Sequence, residues 1–354
     1  MAISDRYHRQ RLVDGIGDSG QELLGNSKVA IVGVGALGCM SASLIARAGI
    51  GSITLIDRDI VEISNLQRQI LFDEDDALTH QPKSIAAAKH LGAVNSEIEI
   101  ISHVEDLTAR NIERLLEGAM VIVDGLDNFH TRYLLNDYAV KTSTPYMFAG
   151  VIAGQGNTMT ILPENSSVSR TQTPCLRCIF PDPPPVGSQE TCDTAGVLGP
   201  AIGIAASCQA MDTIKYLSGN VDKIARSILT FDLWDTQSTR LSLGEPISDC
   251  QCCGKQQFEF LNDTITLQAT PLCGKNAVQI PSSGTFDLAH IAIRLADHGS
   301  FISSEVVIRG ALNEEQSTDG KPIELFCFHD GRIIVHGTDD VGRAKAICAR
   351  YVGR

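Results

Sequence analysis

The sequence predicts an α/β fold with a doubly wound parallel sheet, followed by a small α+β domain. Three observations lead to this prediction. Short apolar runs of strand length alternate with helical segments between residues 28 and 124. A glycine-rich turn, Gly33-Val34-Gly35-Ala36-Leu37-Gly38, joins the first of these runs to a helix. The composition changes after Cys253-Gly254, which divides the chain into residues 1–254 and 255–354.

The first domain is expected to be Rossmann-like, because a helix separates each strand from the next. Its strands are expected at 28–33, 52–57, 97–102, 120–124 and 227–233. Its helices are expected at 39–48, 84–92, 112–117 and 200–218. Residues 163–200 interrupt the pattern with repeated prolines. A loop this long is usually functional or disordered, and the three cysteines in it favour function.

The second domain is expected to mix strands and helices. Strands are expected at 258–267, at 275–280 and on both sides of Asp330-Gly331, a dipeptide typical of a tight hairpin turn. Helices are expected at 286–297 and 340–351.

Composition and charge narrow the classes of function. The chain has 354 residues, 43% of them hydrophobic, which is enough for a sizeable core. A formal net charge of −13 argues against nonspecific binding to nucleic acid or to anionic membranes. The N-terminus has no apolar core of a signal peptide, and the apolar run 197–208 is too short to span a bilayer. We therefore expect a cytoplasmic protein whose 11 cysteines are metal ligands, nucleophiles or core residues rather than disulfides.

The glycine-rich turn predicts a nucleotide site. Gly33 makes the tight turn, Gly35 lets the backbone approach a phosphate, and Gly38 lets helix and strand pack closely. Asp57 ends the next strand, where a carboxylate is placed to bind ribose hydroxyls. On these features alone, an ordinary NAD-binding half is the favoured interpretation.

The charged residues that follow favour ATP over NAD. Arg68 and Lys83 come after Asp57-Arg58-Asp59, and the two phosphates of a dinucleotide do not need them. ATP carries three phosphates, and its leaving pyrophosphate needs positive charge. Asp127 follows the strand 120–124 and is placed to hold Mg²⁺ against the phosphates. An NAD-dependent oxidoreductase is therefore disfavoured.

The order of these motifs resembles the MoeB/ThiF family, the bacterial relatives of ubiquitin-activating enzymes. The motifs are G-x-G-x-x-G, D-x-D, N-L-Q-R-Q from Asn65, Q-P-K ending at Lys83, and D-N at Asp127-Asn128. The opening Arg6-Tyr7-His8-Arg9-Gln10 is similar to the family's R-Y-x-R-Q, and residues 1–254 fit the pattern throughout. The resemblance implies a Rossmann-like fold of the ubiquitin-activating-enzyme type.

The resemblance also implies an activity. It is the ATP-dependent adenylation of the C-terminal Gly-Gly carboxylate of a small ubiquitin-like sulfur-carrier protein, in thiamine or molybdopterin biosynthesis. The carboxylate attacks the α-phosphorus and pyrophosphate leaves, which needs positioning and charge stabilisation but no protein nucleophile. A cysteine desulfurase or another sulfur donor is a candidate further partner.

The family assigns roles to individual residues. It implies that Asp57 binds the ribose, that Asp127 binds Mg²⁺, and that the phosphates are bound by Asn65, Arg68 and Lys83. Arg9 matches the residue that reaches the ATP site of the other subunit in a homodimer. The nucleotide and its metal are thus expected at Gly33, Gly35, Gly38, Asp57, Asp59, Asn65, Arg68, Lys83, Asp127 and Asn128. The residues expected to act in catalysis are Arg9, Arg68, Lys83, Asp127 and Cys192.

Two C-x-x-C pairs predict a structural zinc site. Cys175 and Cys178 form the first pair, and Cys250 and Cys253 the second. Four thiolates suit tetrahedral Zn²⁺, which would fasten the proline-rich loop to the end of the first domain. The family places zinc on the same paired motifs. A set of reduced thiols or a redox pair is the alternative, and Cys252 is a substitute ligand for either neighbour.

Cys192 has no C-x-x-C partner. It lies in Thr191-Cys192-Asp193-Thr194-Ala195-Gly196, and thiazole-pathway members of the family form a covalent link to the carrier through a cysteine in a matching context. A cysteine at this place in the molybdopterin members is dispensable. A thiolate here can attack an acyl-adenylate, but Asp193 beside it would raise the pKa of the thiol. A structural or merely exposed thiol is the alternative.

Two further alternatives concern the whole chain. One is adenylation of a peptide C-terminus in antibiotic or siderophore synthesis, and the other is a non-catalytic zinc-bearing scaffold that binds a carrier. Residues 255–354 are short for the rhodanese domain of some family members, and resemble a small tail domain of some bacterial ThiF-like proteins. Carrier docking, dimer support and an inert accessory fold all remain open for them.

Overall fold

The chain forms two compact units, Met1–Asp263 and Thr264–Arg354. A computed structural model describes residues 6–164, 172–184, 192–262, 270–272, 276–281 and 284–353. The first unit continues past residue 254, because a short helix at Glu259–Asn262 packs on the helix Phe129–Thr142. None of the described helices is both long and apolar enough to cross a membrane.

Eight strands form the sheet of the first unit. They are β1 (Lys28–Val32), β2 (Ser52–Ile56), β3 (Glu99–His103), β4 (Val121–Asp124), β5 (Tyr146–Ile152), β6 (Gln155–Ile161), β7 (Ser227–Asp232) and β8 (Gln237–Ser242). Their order is β3-β2-β1-β4-β5-β6-β7-β8. The strands from β3 to β5 are parallel, whereas β6, β7 and β8 are added in antiparallel orientation. The parallel part confirms the predicted sheet, and the alternation of helices and strands did not predict the antiparallel extension.

The register of the parallel strands places three strand ends together. Val32 of β1 pairs with Ile56 of β2 on one side and with Asp124 of β4 on the other. The residues that directly follow these strands therefore meet at one edge of the sheet. This is the edge at which doubly wound folds bind their ligands. The three residues are Gly33, Asp57 and Gly125.

Helices cover both faces of this sheet. They are α1 (His8–Arg11), α2 (Gly17–Gly25), α3 (Ala36–Ala48), α4 (Glu74–Leu78), α5 (Lys83–Val94), α6 (Ile112–Leu115), α7 (Phe129–Thr142), α8 (Leu176–Ile179), α9 (Cys192–Ala195), α10 (Gly199–Leu217) and α11 (Glu259–Asn262). Alternate residues of β1 enter two separate cores, with Val29 and Ile31 in one and Ala30 and Val32 in the other. Helices α3 and α5 pack into the first core, and α6 and α7 into the second.

The second unit is built around an antiparallel sheet. Its strands are β9 (Thr270–Leu272), β10 (Ala277–Ile280), β11 (Gly299–Ser303), β12 (Val307–Gln316), β13 (Pro322–Phe328) and β14 (Ile333–His336), in the order β11-β12-β13-β14-β10-β9. Its helices are α12 (Leu288–Leu295) and α13 (Val341–Ile347), the latter continued by a π-helical turn at Cys348–Val352. The predicted α+β domain and the hairpin at Asp330-Gly331 are both confirmed, and Gly331 adopts the left-handed φ of +86°.

One predicted element is wrong. The sequence predicts a strand at 258–267, but residues 259–262 form the helix α11, and residues 263–269 lie outside the described part. The alternation of Phe258 and Phe260 has another cause. Both rings pack against the core of the first unit, and the Phe260 backbone N–H donates to Asp137 Oδ2 at 2.9 Å.

Candidate nucleotide site and cysteine cluster

The glycine-rich turn is fixed by backbone crowding between distant segments. Gly33 has a φ of +86°, and a Cβ there would lie 2.7 Å from the carbonyl oxygen of Gly125. A Cβ on Gly38, or one on Gly125, would collide with the carbonyl oxygen of Gly33. Glycine is therefore required at all three positions by the fold. Gly35 differs, because its added Cβ would meet only the Gly125 oxygen, at 3.8 Å.

Asp57 is held directly over this turn. One carboxylate oxygen accepts the Val34 N–H at 2.6 Å, and the other accepts the Asp59 N–H at 2.7 Å. Burial raises the pKa of Asp57, although the charge of Lys83 opposes the shift. The side chain therefore has one fixed orientation at the end of β2, as a residue that positions a ligand must have.

Lys83 is a nearly fully buried cation beside these carboxylates. Its Nζ lies 3.2 Å from Asp59 Oδ2, and the residue is 5% exposed. Burial alone would lower the pKa of Lys83, but Asp59 and then Asp57 raise it above its usual range. The local chain explains the placement, because Lys83 begins α5 directly after Pro82 and its N–H donates to the Asp59 carbonyl at 2.9 Å. The motif thus presents a lysine that stays charged inside the protein.

Asn65 and Arg68 lie on the connection between β2 and α4. Asn65 ends a 3₁₀ turn, is buried, and accepts the Glu62 N–H at 3.0 Å through Oδ1. Arg68 is half-buried and donates to the Ser64 carbonyl at 2.9 Å. In this chain Asn65 therefore shapes the turn, and Arg68 is anchored to the turn through its guanidinium.

Asp127 and Asn128 lie between β4 and α7. Asn128 is the N-cap of α7 and accepts the Thr131 N–H at 2.9 Å. Asp127 is exposed, and its charge contributes to raising the pKa of both Lys83 and Arg58. The carboxylate therefore faces the same group of cations as Asp59. The structure thus brings together Asp57, Asp59, Lys83 and Asp127, which are widely separated in sequence.

A buried ionic network beneath Asp127 was not predicted from the sequence. Arg132 Nε lies 3.1 Å from Asp124 Oδ2, and Tyr146 donates to the same oxygen at 2.7 Å. Arg132 also donates to the carbonyls of Leu126, at 2.6 Å, and Ala149, at 2.8 Å. Burial raises the pKa of Asp124, and Arg132 opposes the shift. The network thus holds the backbone immediately before Asp127.

Arg58 is a second cation at this edge of the sheet, and the sequence did not predict it as a site residue. It pairs with Asp106 at 3.0 Å and lies 4.0 Å from Asp59. Burial alone would lower the pKa of Arg58, but Asp106 and Asp59 raise it. Arg58 is the middle residue of the D-x-D motif, between two carboxylates predicted for the site, and this position could have indicated its place there.

Arg9 is exposed on α1, away from this edge of the sheet. Its neighbour Gln10 donates to the carbonyl of Ala48, the last residue of α3, at 2.8 Å. The glycine-rich turn lies at the other end of α3, about 18 Å away at 1.5 Å per residue. A single chain therefore does not bring Arg9 to the predicted nucleotide site.

The two cysteine pairs come together as one cluster. Cys175 Sγ lies 3.9 Å from Cys178 Sγ and 3.7 Å from Cys250 Sγ, and Cys178 Sγ lies 3.4 Å from Cys253 Sγ. The four sulfurs are all within 4.8 Å of one another. Tetrahedral Zn²⁺ with bonds of 2.3 Å needs sulfurs about 3.8 Å apart, so the donor set and its spacing fit this ion. Cys252 is fully buried nearby but lies outside the group of four.

A buried arginine lies in the first cysteine pair. Arg177 is 6% exposed, and its guanidinium lies 3.0 Å from Glu259 and 5.6 Å from the centre of the Phe260 ring. Hydrogen bonding within the cluster lowers the pKa of Cys175, with Cys178 as the main donor, and raises the pKa of Cys178 and Cys253, so that Cys175 is the first of these thiols to ionise. The nearest charges to Arg177 are thus Glu259 and, in the electrostatics of the site, Asp137 and Cys252.

Cys192 begins the short helix α9, and its side chain is outside the described residues. The backbone that follows is tied to the turn between β5 and β6. Ala153 donates to the Gly196 carbonyl at 2.9 Å, and Leu198 donates to the Ala153 carbonyl at 2.9 Å. The segment after Cys192 is thus anchored to the central sheet.

Relatives of known name match most of this chain. The sulfur carrier protein ThiS adenylyltransferase of Bacillus subtilis (strain 168) is 38% identical over 355 residues, which cover 99% of this chain and 100% of that protein. The sulfur carrier protein adenylyltransferase of Thermus thermophilus is 33% identical over 252 residues, which cover 71% of this chain and 91% of that protein. The adenylyltransferase and sulfurtransferase MOCS3 of Aedes aegypti is 34% identical over 85% of this chain, which spans 66% of that longer protein.

Solved structures share the fold. The crystal structure of E. coli MccB with ATP matches with a TM-score of 0.59 at 24% identity, over 71% of this chain and 74% of that chain. A second MccB structure, with succinimide, gives a TM-score of 0.60. The family model of the ThiF family matches residues 7–252. Given this match and the relatives above, the chain belongs to the ThiF family.

Proposed function

We propose that this chain uses ATP to adenylate the C-terminal carboxylate of a small ubiquitin-like sulfur-carrier protein. One observation carries the proposal: the buried Lys83 is ion-paired with Asp59 at the edge of the sheet where Asp57 binds the glycine-rich turn. Such a cation suits a triphosphate whose pyrophosphate must leave. The names of the Bacillus subtilis and Thermus thermophilus relatives support the same activity.

The residues of the site divide the work of binding ATP. The turn Gly33–Gly38 and the start of α3 would receive phosphates through backbone N–H groups. Asp57 would accept from the ribose hydroxyls, since each of its oxygens retains a lone pair beyond its backbone bond. Lys83, Arg68 and Asn65 would bind the phosphates. Mg²⁺, held by Asp127 with Asp59 and Asn128 nearby, would neutralise phosphate charge.

The chemistry needs no nucleophile from the protein. The carrier's terminal carboxylate attacks the α-phosphorus, the bond to the bridging oxygen breaks, and pyrophosphate leaves with the electron pair. Lys83 and Arg68 stabilise the charge that develops on the leaving group. The network of Asp124 and Arg132 fixes the backbone before Asp127, so that the carboxylate is already in place when ATP binds.

We assign Zn²⁺ to Cys175, Cys178, Cys250 and Cys253, where it would have a structural role. The ion would link α8 to the segment that carries Cys250 and Cys253, and would thereby close the long stretch of chain between the two pairs.

Arg9 enters the proposal through a second copy of the chain. Because α1 is remote from the nucleotide site of its own chain, we infer a homodimer in which Arg9 of one subunit reaches the ATP of the other.

A sulfur donor such as a cysteine desulfurase would act after adenylation, and we expect the whole process in the cytoplasm. Cys192 would act after adenylation, by attack of its thiolate on the acyl-adenylate with AMP as the leaving group.

The test is carrier-dependent exchange of labelled pyrophosphate into ATP. We expect exchange with a carrier that ends in Gly-Gly and none with the same carrier shortened by its last glycine. Asp127→Ala should abolish exchange without loss of the fold. The matched control is Asp75→Ala, an exposed aspartate on α4.

Two outcomes would overturn the proposal. One is undiminished exchange in Asp127→Ala, and the other is equal exchange with the shortened carrier. Exchange that responds to a peptide but to no Gly-Gly carrier would favour the peptide-activating alternative.

A further inference from the structure

A single side chain of α7 joins the two halves of the cysteine cluster. Asn136 is fully buried. Its Oδ1 accepts the backbone N–H of Leu176 at 2.8 Å, and its Nδ2 donates to Cys252 Sγ at 3.2 Å. Both ends of the carboxamide are therefore used, and each contacts a different part of the chain.

The two contacts fall inside the two cysteine pairs. Leu176 lies between Cys175 and Cys178, and Cys252 lies between Cys250 and Cys253. The pairs are far apart in sequence, yet their sulfurs approach to 3.4 Å. Asn136 is thus a fixed point, on a helix that belongs to neither pair, against which both are aligned.

The next residue on α7 strengthens this arrangement. Asp137 is fully buried and accepts the Phe260 N–H at 2.9 Å, which fixes the chain just after the second pair. In the first pair, Cys175 is the N-cap of α8 and Cys178 lies on it, and this helix of four residues is too short to hold its own geometry. Support for the cluster must therefore come from outside the pairs, and α7 supplies it.

We propose that Asn136 is a positioning residue of the metal site, and that Cys252 is its hydrogen-bond partner rather than a ligand. The inference rests on the zinc site of the proposed function. Two loops that are already aligned lose less conformational freedom when the ion binds, so the ion binds more tightly. Outer residues of this kind typically contribute a factor of about 10 to 100 in metal affinity.

The first test compares two identical substitutions at two buried asparagines. Asn136→Leu removes both hydrogen bonds and leaves the Leu176 N–H without its partner. Asn95→Leu is the matched control, because Asn95 is equally buried and bridges Tyr7 and Ala46, at 2.8 Å each, in a part of the unit without cysteine ligands. Zinc affinity is measured on the full chain by competition with a chromophoric chelator.

We expect Asn136→Leu to weaken zinc binding by about 10- to 100-fold and Asn95→Leu to leave it within the error of the wild type. A general loss of stability would lower the zinc affinity of both variants alike, so the difference between their affinities measures the effect of positioning. Equal zinc affinities in the two variants would overturn the inference.

The second test uses Cys252 and does not depend on whether Asn136→Leu folds. Cys252→Ser keeps an acceptor for the Asn136 Nδ2, whereas Cys252→Ala removes it. We expect both variants to bind one Co²⁺ with the absorption of four thiolate ligands, and only Cys252→Ala to release zinc faster than the wild type. Loss of that four-thiolate spectrum in Cys252→Ser would show that Cys252 is a ligand and would overturn the inference.

The wild type separates this inference from its basis. Wild-type protein without bound zinc would refute the zinc site itself. Wild-type protein with one zinc, together with an Asn136→Leu variant that matches Asn95→Leu, would refute only the role of Asn136.

Discussion

Lys83 Nζ lies 3.2 Å from Asp59 Oδ2, and this ion pair is formed where β2 and α5 meet. The lysine is the more deeply buried partner, since its side chain is 6% exposed and that of the aspartate 23%. Removing one partner of such a pair leaves the other charge uncompensated. Loss of either side chain would therefore leave an unpaired charge at the site and would also remove a contact between the segment after β2 and α5.

Replacing Lys83 by methionine should lower pyrophosphate exchange by about 100- to 1,000-fold, because charge that develops on the leaving pyrophosphate loses its buried partner. The control is Lys89→Met on the same helix, whose side chain is 66% exposed and which lies 4.0 Å from Asp76. Exchange assays on both variants check the prediction. A similar activity of the two variants would contradict it.

Arg132→Met should destabilise the first unit by about 3–5 kcal/mol, because Asp124 is left buried without its cation. Arg114→Met should cost less than about 1 kcal/mol, since Arg114 pairs with Glu105 on the surface. Urea unfolding followed by far-UV circular dichroism measures both. Equal stabilities would mean that the network contributes little to holding the loop before Asp127.

Mixing two inactive variants should restore activity if the site is shared between subunits. Arg9→Ala supplies an intact Asp127, and Asp127→Ala supplies an intact Arg9. In a 1:1 mixture half of the dimers are mixed, and each mixed dimer has one complete site of two, so about a quarter of wild-type exchange should return. No recovery after exchange of subunits, confirmed by tagged copies, would contradict the shared site.

Cys178→Ser should lose the metal, because a serine oxygen is a poor substitute for a thiolate in a tetrahedral zinc site. Metal analysis should find about one zinc per wild-type chain and close to none in this variant. Cys208→Ser, on α10 and outside the cluster, is the control and should keep its zinc. Thermal unfolding should show a lower midpoint for Cys178→Ser only.

Cys192→Ser should still form the adenylate, because attack on the α-phosphorus needs no protein thiol. The variant is compared with the wild type in two assays. One measures pyrophosphate exchange, and the other uses mass spectrometry to detect a covalent link between the carrier and the chain. We expect normal exchange and, where the wild type forms a link, its loss. A loss of exchange itself would contradict the two-step order.

The arrangement of strand ends at this edge of the sheet was predictable because its signals are local. The strands β1, β2 and β4 are apolar runs, and Gly33 and Asp57 come directly after the first two. Parallel pairing then brings the ends together whatever the rest of the chain does. The cysteine cluster was predictable for the same reason, since each C-x-x-C pair is a local pattern.

Two of the elements that the sequence did not reveal, α7 and β8, lack a hydrophobic period. Helix α7 is buried on nearly all sides from Thr131 to Ala139, so no apolar stripe marks it. Strand β8 is exposed at every position, and its polar residues give no alternation. The network of Asp124, Arg132 and Tyr146 exists only through the pairing of β4 with β5, so no spacing along the chain predicts it.

The three glycines of the turn are required for two different reasons, the packing of the chain and the binding of a ligand. Gly33 and Gly38 are fixed by the chain itself, because an added carbon at either would strike backbone. At Gly35 the chain leaves room, with its nearest atom 3.8 Å away. Substitution of Gly33 or Gly38 would therefore test whether the protein folds, whereas substitution of Gly35 would test whether it binds its ligand. An alanine scan of one short motif thus distinguishes the demands of architecture from those of the bound molecule.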